Sequence, residues 1–122
     1  MRTILVVEDS PLLLQMLSTL LRAKGFQVIE AQDAYRALKV TDGRPIDMVI
    51  TDLIMPGMDG IELTWEIRTL NAYKAIPILM LTTQSQAKAR REGSAAGITG
   101  WVVKPFHADN LIALIKKFLG AE

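Results

Sequence analysis

The chain has 122 residues, of which half are hydrophobic and 22% are charged, a composition typical of one compact globular domain. Its formal net charge of +1 provides no strong field to indicate nucleic-acid binding or attachment to an anionic membrane. The lack of cysteine excludes disulfides and thiolate metal sites, and no apolar run approaches membrane-spanning length. We therefore expect a single domain over residues 1–122, located in the cytoplasm.

The first half of the chain alternates between strand and helix patterns. Residues 3–7 form a short apolar run typical of a buried strand, and Ser10 and Pro11 then provide an N-cap and a first helical turn. The buried stripe of that helix is predicted to be Leu13, Met16, Leu17, Leu20 and Leu21, with Gly25 ending it. Residues 28–31 and 48–51 are predicted strands, and a second helix is expected over residues 34–41 between them.

The second half continues the alternation after a turn-rich loop at residues 55–60. Apolar spacing predicts a third helix over residues 61–70 and a fourth strand at residues 78–81. A polar helix is predicted at residues 86–96, followed by a strand at 100–103 and a last helix with the stripe Leu111, Leu114, Ile115 and Phe118. Five successive βα units indicate a doubly wound α/β fold, a five-stranded parallel sheet with five helices on its two faces.

Polar residues follow four of the predicted strands, where an open parallel sheet binds its ligands. Glu8 and Asp9 follow the first strand, Asp52 ends the third, Thr82 the fourth and Lys104 the fifth. Each has a simpler explanation taken alone: a helix cap, a turn residue, a residue that favours strands or a solvated charge. Together they predict a cluster of three carboxylates, a hydroxyl and an ammonium at one edge of the sheet.

Electrostatics indicates what such a cluster would bind. Two like charges about 4 Å apart repel by about 4 kcal/mol at an effective dielectric constant near 20, so three clustered carboxylates need a cation. Oxygen ligands with open positions for water suit Mg²⁺ better than zinc or copper. A metal beside a carboxylate nucleophile, with a hydroxyl and a lysine, fits phosphoryl transfer, in which catalysis consists mostly of placing and neutralising charge.

Four motifs support a family resemblance. Residues 6–10 (VVEDS), 51–60 (TDLIMPGMDG), 81–83 (LTT) and 103–106 (VKPF) resemble those of bacterial response-regulator receiver domains. Residues 76–106 most resemble single-domain chemotaxis response regulators of the CheY type. The resemblance implies a flavodoxin-like receiver fold with strand order 2-1-3-4-5 and, in most family members, a cis peptide bond at the position of Lys104–Pro105.

The resemblance also implies roles for the clustered residues. Asp52 would accept a phosphoryl group from a phosphohistidine of a histidine kinase. Asp9 and Asp52 would hold Mg²⁺ through their side chains, Ile54 through its backbone carbonyl and Glu8 through water. Lys104 would pair with a phosphoryl oxygen. The chain would thus be a signalling protein and not an enzyme, except that it forms and loses its own Asp52 phosphate.

The implied output involves Thr82 and Trp101. Thr82 would move its hydroxyl onto the phosphoryl group, and Trp101 would turn into the vacated space, although a core aromatic is an equally good interpretation of Trp101. The surface of the fourth helix, fifth strand and fifth helix would then change and bind a protein target, such as a flagellar motor switch. A monomer is expected, with a separate phosphatase as a further partner and no contact with nucleic acid or membrane.

Several positions depart from the chemotaxis pattern. Ile54 and Gln84 replace the Asn and Glu that chemotaxis relatives often carry beside the path of the hydrolytic water, so we expect a longer-lived phosphate. Leu12 and Leu14 suggest an apolar docking patch for the kinase, with partial burial against neighbouring loops as the alternative. The single histidine, His107, is interpreted as a helix-cap position.

Other functions remain open at this point. A haloacid-dehalogenase-type phosphatase also uses an aspartyl nucleophile with Mg²⁺, but Ile54 stands where its second aspartate should be. A nucleotide-binding domain would need a glycine-rich first turn, which the sequence lacks. A receiver-like module that is never phosphorylated would normally have lost Asp52, Asp9 or Lys104. The chain could also be the receiver part of a longer regulator with its own output domain.

Overall fold

A computed structural model of the protein describes residues 1–83 and 94–120. Its five parallel strands are β1 (Thr3–Val7), β2 (Gln27–Ala31), β3 (Met48–Asp52), β4 (Ile78–Thr82) and β5 (Gly100–Val103). They lie in the order β2-β1-β3-β4-β5. The predicted parallel α/β sheet is therefore confirmed, as is the strand order implied by the resemblance.

The helices also follow the predicted sequence of elements. They are α1 (Pro11–Ala23), α2 (Ala34–Val40), α3 (Gly60–Arg68), a 3₁₀ turn (Asn71–Tyr73) and the C-terminal helix (Ala108–Leu119). Of the helix predicted over residues 86–96, only 94–96 fall within the described residues, and they are helical. Within the described parts of the chain, no helix is long and apolar enough to cross a membrane.

Side chains cap the N-termini of two helices by hydrogen bonding to their free backbone N–H groups. The Ser10 hydroxyl accepts a hydrogen bond from the Leu13 N–H at 3.3 Å, which confirms the predicted cap of α1. Asp59 and Glu62 form a reciprocal capping box at the start of α3. His107 does occupy the N-cap of the C-terminal helix, but its backbone carbonyl, not its imidazole, accepts the bond from Leu111 at 3.0 Å.

The core lies on both faces of the sheet. All residues of β1, β3 and β4 are buried, whereas the edge strands β2 and β5 are partly exposed. One apolar cluster joins the sheet to α1 and the C-terminal helix, and a second joins it to α2 and α3. The buried central strands β1, β3 and β4 therefore position Glu8, Asp9, Asp52 and Thr82 at their carboxyl ends.

The buried face of α1 differs from the predicted stripe. Leu14, Leu17, Ser18 and Leu21 are buried, whereas 56% of Met16 is exposed. Leucines lie on several sides of α1, so apolar spacing alone is compatible with two different buried faces. The face that the fold buries includes the polar Ser18, which made that face the less favoured prediction. Leu14, only 5% exposed, belongs to the core and is not part of a docking patch, so the prediction for that residue was wrong.

Candidate functional site

Three carboxylates meet at the carboxyl edge of the sheet. Glu8 and Asp9 follow β1 directly, and Asp52 ends the neighbouring strand β3, whose Thr51 pairs with Val7. Oxygens of the three carboxylates lie within 4.8 Å of one another. Glu8 and Asp52 are buried, whereas Asp9 is exposed. The predicted convergence of these side chains is thus confirmed.

Lys104 enters the same cluster from the end of β5. Its Nζ lies 3.0 Å from Asp52 Oδ1 and 3.2 Å from Glu8 Oε1. The Lys104 backbone N–H donates to the Thr82 carbonyl oxygen at 2.7 Å, which fixes the lysine relative to β4. The following bond to Pro105 is cis, as the resemblance implied. The side chain is 19% exposed, so its ammonium is largely withdrawn from water.

The charges in the cluster are incompletely balanced. Burial raises the pKa of the Glu8 carboxyl, and the nearby charge of Asp52 adds to that effect, although the Ser10 N–H and Lys104 oppose it. Burial lowers the pKa of Lys104, but its hydrogen bond to Asp52 and the charges of Asp52 and Glu8 together raise it above its ordinary value. One ammonium among three carboxylates leaves the site attractive to another cation.

The backbone around Asp52 is held by close packing. A Cβ at position 60 would collide with the Asp52 carbonyl oxygen and lie 2.6 Å from Met80 Sδ, so only glycine fits there. The Gly60 N–H donates to the Leu53 carbonyl oxygen, and the Leu53 N–H donates to the Leu81 carbonyl oxygen, both at 2.8 Å. Sequence reasoning treated Gly60 only as a turn residue; its role in bringing α3 against the acceptor strand needed the structure.

The remaining predicted site residues lie around this cluster. Thr82 is buried at the end of β4, and Trp101, on the adjacent strand β5, is half-buried against an apolar cluster that includes Leu53 and Met80. Ile54, two residues past Asp52, is 67% exposed. The sequence left open whether Trp101 is a core aromatic or a residue that turns inward on phosphorylation, and its half-buried state lies between these two interpretations. Gln84 lies outside the described residues.

The donor set suits a hydrated magnesium ion. All three clustered side chains offer carboxylate oxygens, the ligands that Mg²⁺ prefers, and exposed Asp9 leaves one side open to water. There is no nitrogen or sulfur donor of the kind that zinc or copper selects within the described cluster. The residues present therefore fit the metal that the sequence predicted.

A groove of about 640 Å³ adjoins the site beside α1. Its walls are mostly apolar and are formed by Leu13, Met16, Leu20, Thr83, Lys104, Pro105, Phe106 and Ala108. On the same helix, Leu12 is 69% exposed. Apolar spacing placed Met16 in the core, so this groove was not predicted from the sequence. The exposed side of α1 is itself apolar and lies next to Lys104.

Residues 4–116 match the family described as the response regulator receiver domain. The chain is 38% identical over 109 residues to the chemotaxis protein CheY-3 of Vibrio cholerae, and the alignment covers 88% of this chain and 84% of that protein. It is 39% identical over 114 residues to the DNA-binding response regulator MtrA of Mycolicibacterium smegmatis, covering 93% of this chain but 48% of MtrA.

Solved structures agree with these matches. The chemotaxis protein CheY4 of Vibrio cholerae superposes with a TM-score of 0.95 at 39% identity, covering 98% of this chain and 99% of that chain. The receiver domain of the sensor histidine kinase PA1611 from Pseudomonas aeruginosa superposes with a TM-score of 0.88 at 28% identity, covering 98% of each chain. That structure has a magnesium ion coordinated in the active-site cleft.

Proposed function

Because this chain belongs to the response-regulator receiver family, the signalling modules of two-component systems, we propose that it is switched by phosphorylation of Asp52. The observation that carries the proposal is the position of Lys104 Nζ, 3.0 Å from Asp52 Oδ1 in a cluster with two further carboxylates. A buried carboxylate beside a fixed ammonium is placed to accept a group whose new oxygens need neutralisation.

The proposed reaction is a single displacement at phosphorus. A carboxylate oxygen of Asp52 attacks the phosphohistidine of a histidine kinase, an O–P bond forms as the N–P bond breaks, and the released imidazole takes up a proton. The tight packing behind Asp52, through Gly60 and the backbone of Leu53, holds the nucleophile in place during this attack. The only group the chain itself modifies is its own Asp52.

Mg²⁺, when bound, would neutralise charge on the phosphoryl oxygens. Asp9 and Asp52 would hold it through their side chains and Ile54 through its backbone carbonyl, while Glu8 would contribute through water. The closely spaced oxygens of Glu8, Asp9 and Asp52 support this assignment, as does the magnesium in the related PA1611 receiver domain. Lys104 would move from Asp52 Oδ1 to a phosphoryl oxygen, a shift that its position between two carboxylates allows.

We assign the phosphodonor to the groove beside α1. A kinase must bring its phosphohistidine to Asp52, so the kinase has to contact the protein surface next to Asp52. The groove is part of that surface, because Lys104 lies beside Asp52 and lines the groove. The exposed Leu12 and Met16 and the groove-lining Phe106 provide an apolar contact for a helical bundle. The docking hypothesis therefore still includes Leu12 and no longer includes Leu14.

For the output, Thr82 would move its hydroxyl onto the phosphoryl group and Trp101 would turn inward. The half-buried state of Trp101, on the strand adjacent to Thr82, leaves such a movement available. The similarity to CheY proteins favours chemotaxis in the cytoplasm, with a protein target such as a flagellar motor switch and a phosphatase as a further partner. The match to about half of MtrA favours a second candidate, the receiver part of a longer DNA-binding regulator.

The decisive experiment is intact-mass measurement after incubation with acetyl phosphate, with and without Mg²⁺. We expect one phosphoryl adduct that requires Mg²⁺ and disappears in Asp52→Asn but persists in Asp42→Asn, a control at an exposed carboxylate outside the cluster. If no adduct formed under any condition, the chain would instead be a binding module that is not phosphorylated. Steady release of phosphate without a lasting adduct would instead indicate a phosphatase of the haloacid dehalogenase type.

A further inference from the structure

The ring of Tyr35 lies against the loop that joins β3 to α3. A Cβ at Gly57 in this loop would stand 2.9 Å from Tyr35 Cε2 and 3.2 Å from its hydroxyl oxygen. Gly57 also has a φ of +79°, a backbone conformation that side chains disfavour. Its backbone conformation therefore favours glycine, and the absence of a side chain there lets the Tyr35 ring approach the loop backbone.

Tyr35 lies in the first turn of α2, whose backbone is held by a side-chain cap and by packing. Asp33 Oδ1 accepts a hydrogen bond from the Arg36 N–H at 2.7 Å and so caps the helix. Ala34 and Ala37 are fully buried and fix the helix to the sheet. Since tyrosine has only two side-chain torsions, its ring loses little entropy in resting on the loop, although Tyr35 remains 55% exposed.

The same loop is anchored at its start and, through the partly buried Met58, near its end, and Tyr35 contacts it between these points. Leu53 is fixed by backbone hydrogen bonds to β4 and to the start of α3, and Met55 is buried in the cluster that contains Ala34. Between them lies Ile54, whose side chain is 67% exposed and gives its own peptide little anchorage. The Tyr35 ring adds a contact at Gly57, between the buried Met55 and the partly buried Met58.

We propose that Tyr35 is a positioning residue for the magnesium site. Its ring limits the movement of the β3–α3 loop and thereby fixes the Ile54 carbonyl, the backbone ligand named under the proposed function, on which this inference rests. The ring face makes the contact, so phenylalanine should replace tyrosine and alanine should not. Positioning of a metal ligand by a neighbouring group typically changes metal affinity by about 10- to 100-fold.

The test is calorimetric titration of the full chain with Mg²⁺. We expect Tyr35→Ala to weaken Mg²⁺ binding by about tenfold, and Tyr35→Phe to remain within about twofold of the wild type. Trp65→Ala, which removes a similarly exposed aromatic from α3, is the matched control and should also bind normally. Thermal unfolding of each variant would verify that the fold is intact.

A second measurement needs no metal. In the magnesium-free protein, amide hydrogen exchange over residues 54–58 should be faster in Tyr35→Ala than in Tyr35→Phe, because local opening no longer breaks the ring contact. Wild-type Mg²⁺ affinity or unchanged exchange in Tyr35→Ala would overturn the role of Tyr35 but not the proposed metal site. A wild-type chain that binds no Mg²⁺ would overturn the proposed metal site and, with it, the role of Tyr35. A Tyr35→Phe variant as weak as Tyr35→Ala would transfer the role from the ring to the hydroxyl.

Discussion

Lys104 Nζ lies 3.0 Å from Asp52 Oδ1, so the carboxylate proposed to accept the phosphoryl group is already paired with a cation. The same ammonium lies 3.2 Å from Glu8 Oε1. It therefore partly neutralises two buried carboxylates that would otherwise repel each other. This arrangement makes Lys104 a structural residue of the resting protein as well as a proposed phosphoryl ligand.

Removing that ammonium should destabilise the metal-free protein. Lys104→Met leaves Glu8 and Asp52 buried without their cation, and loss of one partner from a buried pair costs about 3 kcal/mol. Urea unfolding in the presence of EDTA would measure the loss, with Lys39→Met on the exposed side of α2 as the control. Added Mg²⁺ should restore part of the stability, since it supplies the missing positive charge. A variant as stable as the control would contradict the pairing.

The raised pKa of Glu8 predicts how stability depends on pH. Burial shifts this carboxyl above its ordinary value of 4.5, so the folded chain binds a proton at pH values where the unfolded chain has released it. The free energy of unfolding of the metal-free protein should therefore fall as pH rises from 4.5 through the folded pKa. Denaturant titrations at several pH values would show this slope in the wild type and a smaller slope in Glu8→Gln. Equal slopes would rule out Glu8 as the cause.

The sequence was sufficient to predict the sheet, its alternating helices and the convergence of Glu8, Asp9, Asp52 and Lys104. These features follow from strong local signals: buried apolar runs mark the strands, and parallel strands bring their carboxyl ends to the same edge. The strand order came from the family resemblance, because local patterns do not specify which strands are neighbours.

What the sequence could not predict depended on packing between elements. The register of α1 was misassigned because leucines lie on several sides of that helix, so only contact with the sheet selects Leu14 over Met16. The contact between Tyr35 and Gly57 joins α2 to the loop between β3 and α3, which are separate in sequence, and no periodicity signals it. The requirement for glycine at position 60 likewise arises from β4 and the Asp52 backbone, not from its own turn.

The exposed side chain at Ile54 predicts a long phosphate lifetime. Isoleucine cannot orient a hydrolytic water as an amide or carboxylate can, and Gln84 lacks the charge that chemotaxis relatives often carry there. The double substitution Ile54→Asn, Gln84→Glu should speed dephosphorylation by about tenfold, measured as the decay of the adduct after acetyl phosphate is removed. Ile54→Val, which keeps the position apolar, is the control. A double variant that decays at the wild-type rate would count against this explanation.

Leu12 and Leu14, two of the leucines of α1, should differ in their response to substitution. Leu14→Ala opens a cavity in the core and should cost about 3 kcal/mol, whereas Leu12→Ala at an exposed position should cost less than about 0.5 kcal/mol. Leu12→Arg should slow phosphotransfer from the cognate kinase while leaving phosphorylation by acetyl phosphate unchanged. Loss of both reactions, or of neither, would remove Leu12 from the docking surface.

Arg68 provides the last prediction, because its guanidinium joins three separate segments. Nε and Nη2 donate to the Gly97 carbonyl oxygen at 3.2 and 2.7 Å, and Nη1 donates to the carbonyl oxygens of Tyr73, Lys74 and Ile76 at 2.9, 3.2 and 2.7 Å. These bonds connect the end of α3 to the approach of β4 and to the turn before β5. A lysine ammonium is a single point and cannot reach both sides of this arrangement.

Arg68→Lys should therefore lower the free energy of unfolding by about 2 kcal/mol, since several half-buried carbonyls would lose their donor. The matched control is Arg22→Lys on α1, where the arginine makes an exposed ion pair with Glu30 at 3.7 Å and the change should stay below about 0.5 kcal/mol. Urea unfolding monitored by circular dichroism would compare the two. If Arg68→Lys matched Arg22→Lys in stability, the guanidinium bonds would contribute little beyond what water supplies. A selective loss would instead show that the bonds from Arg68 to Gly97 and to residues 73–76 stabilise the fold.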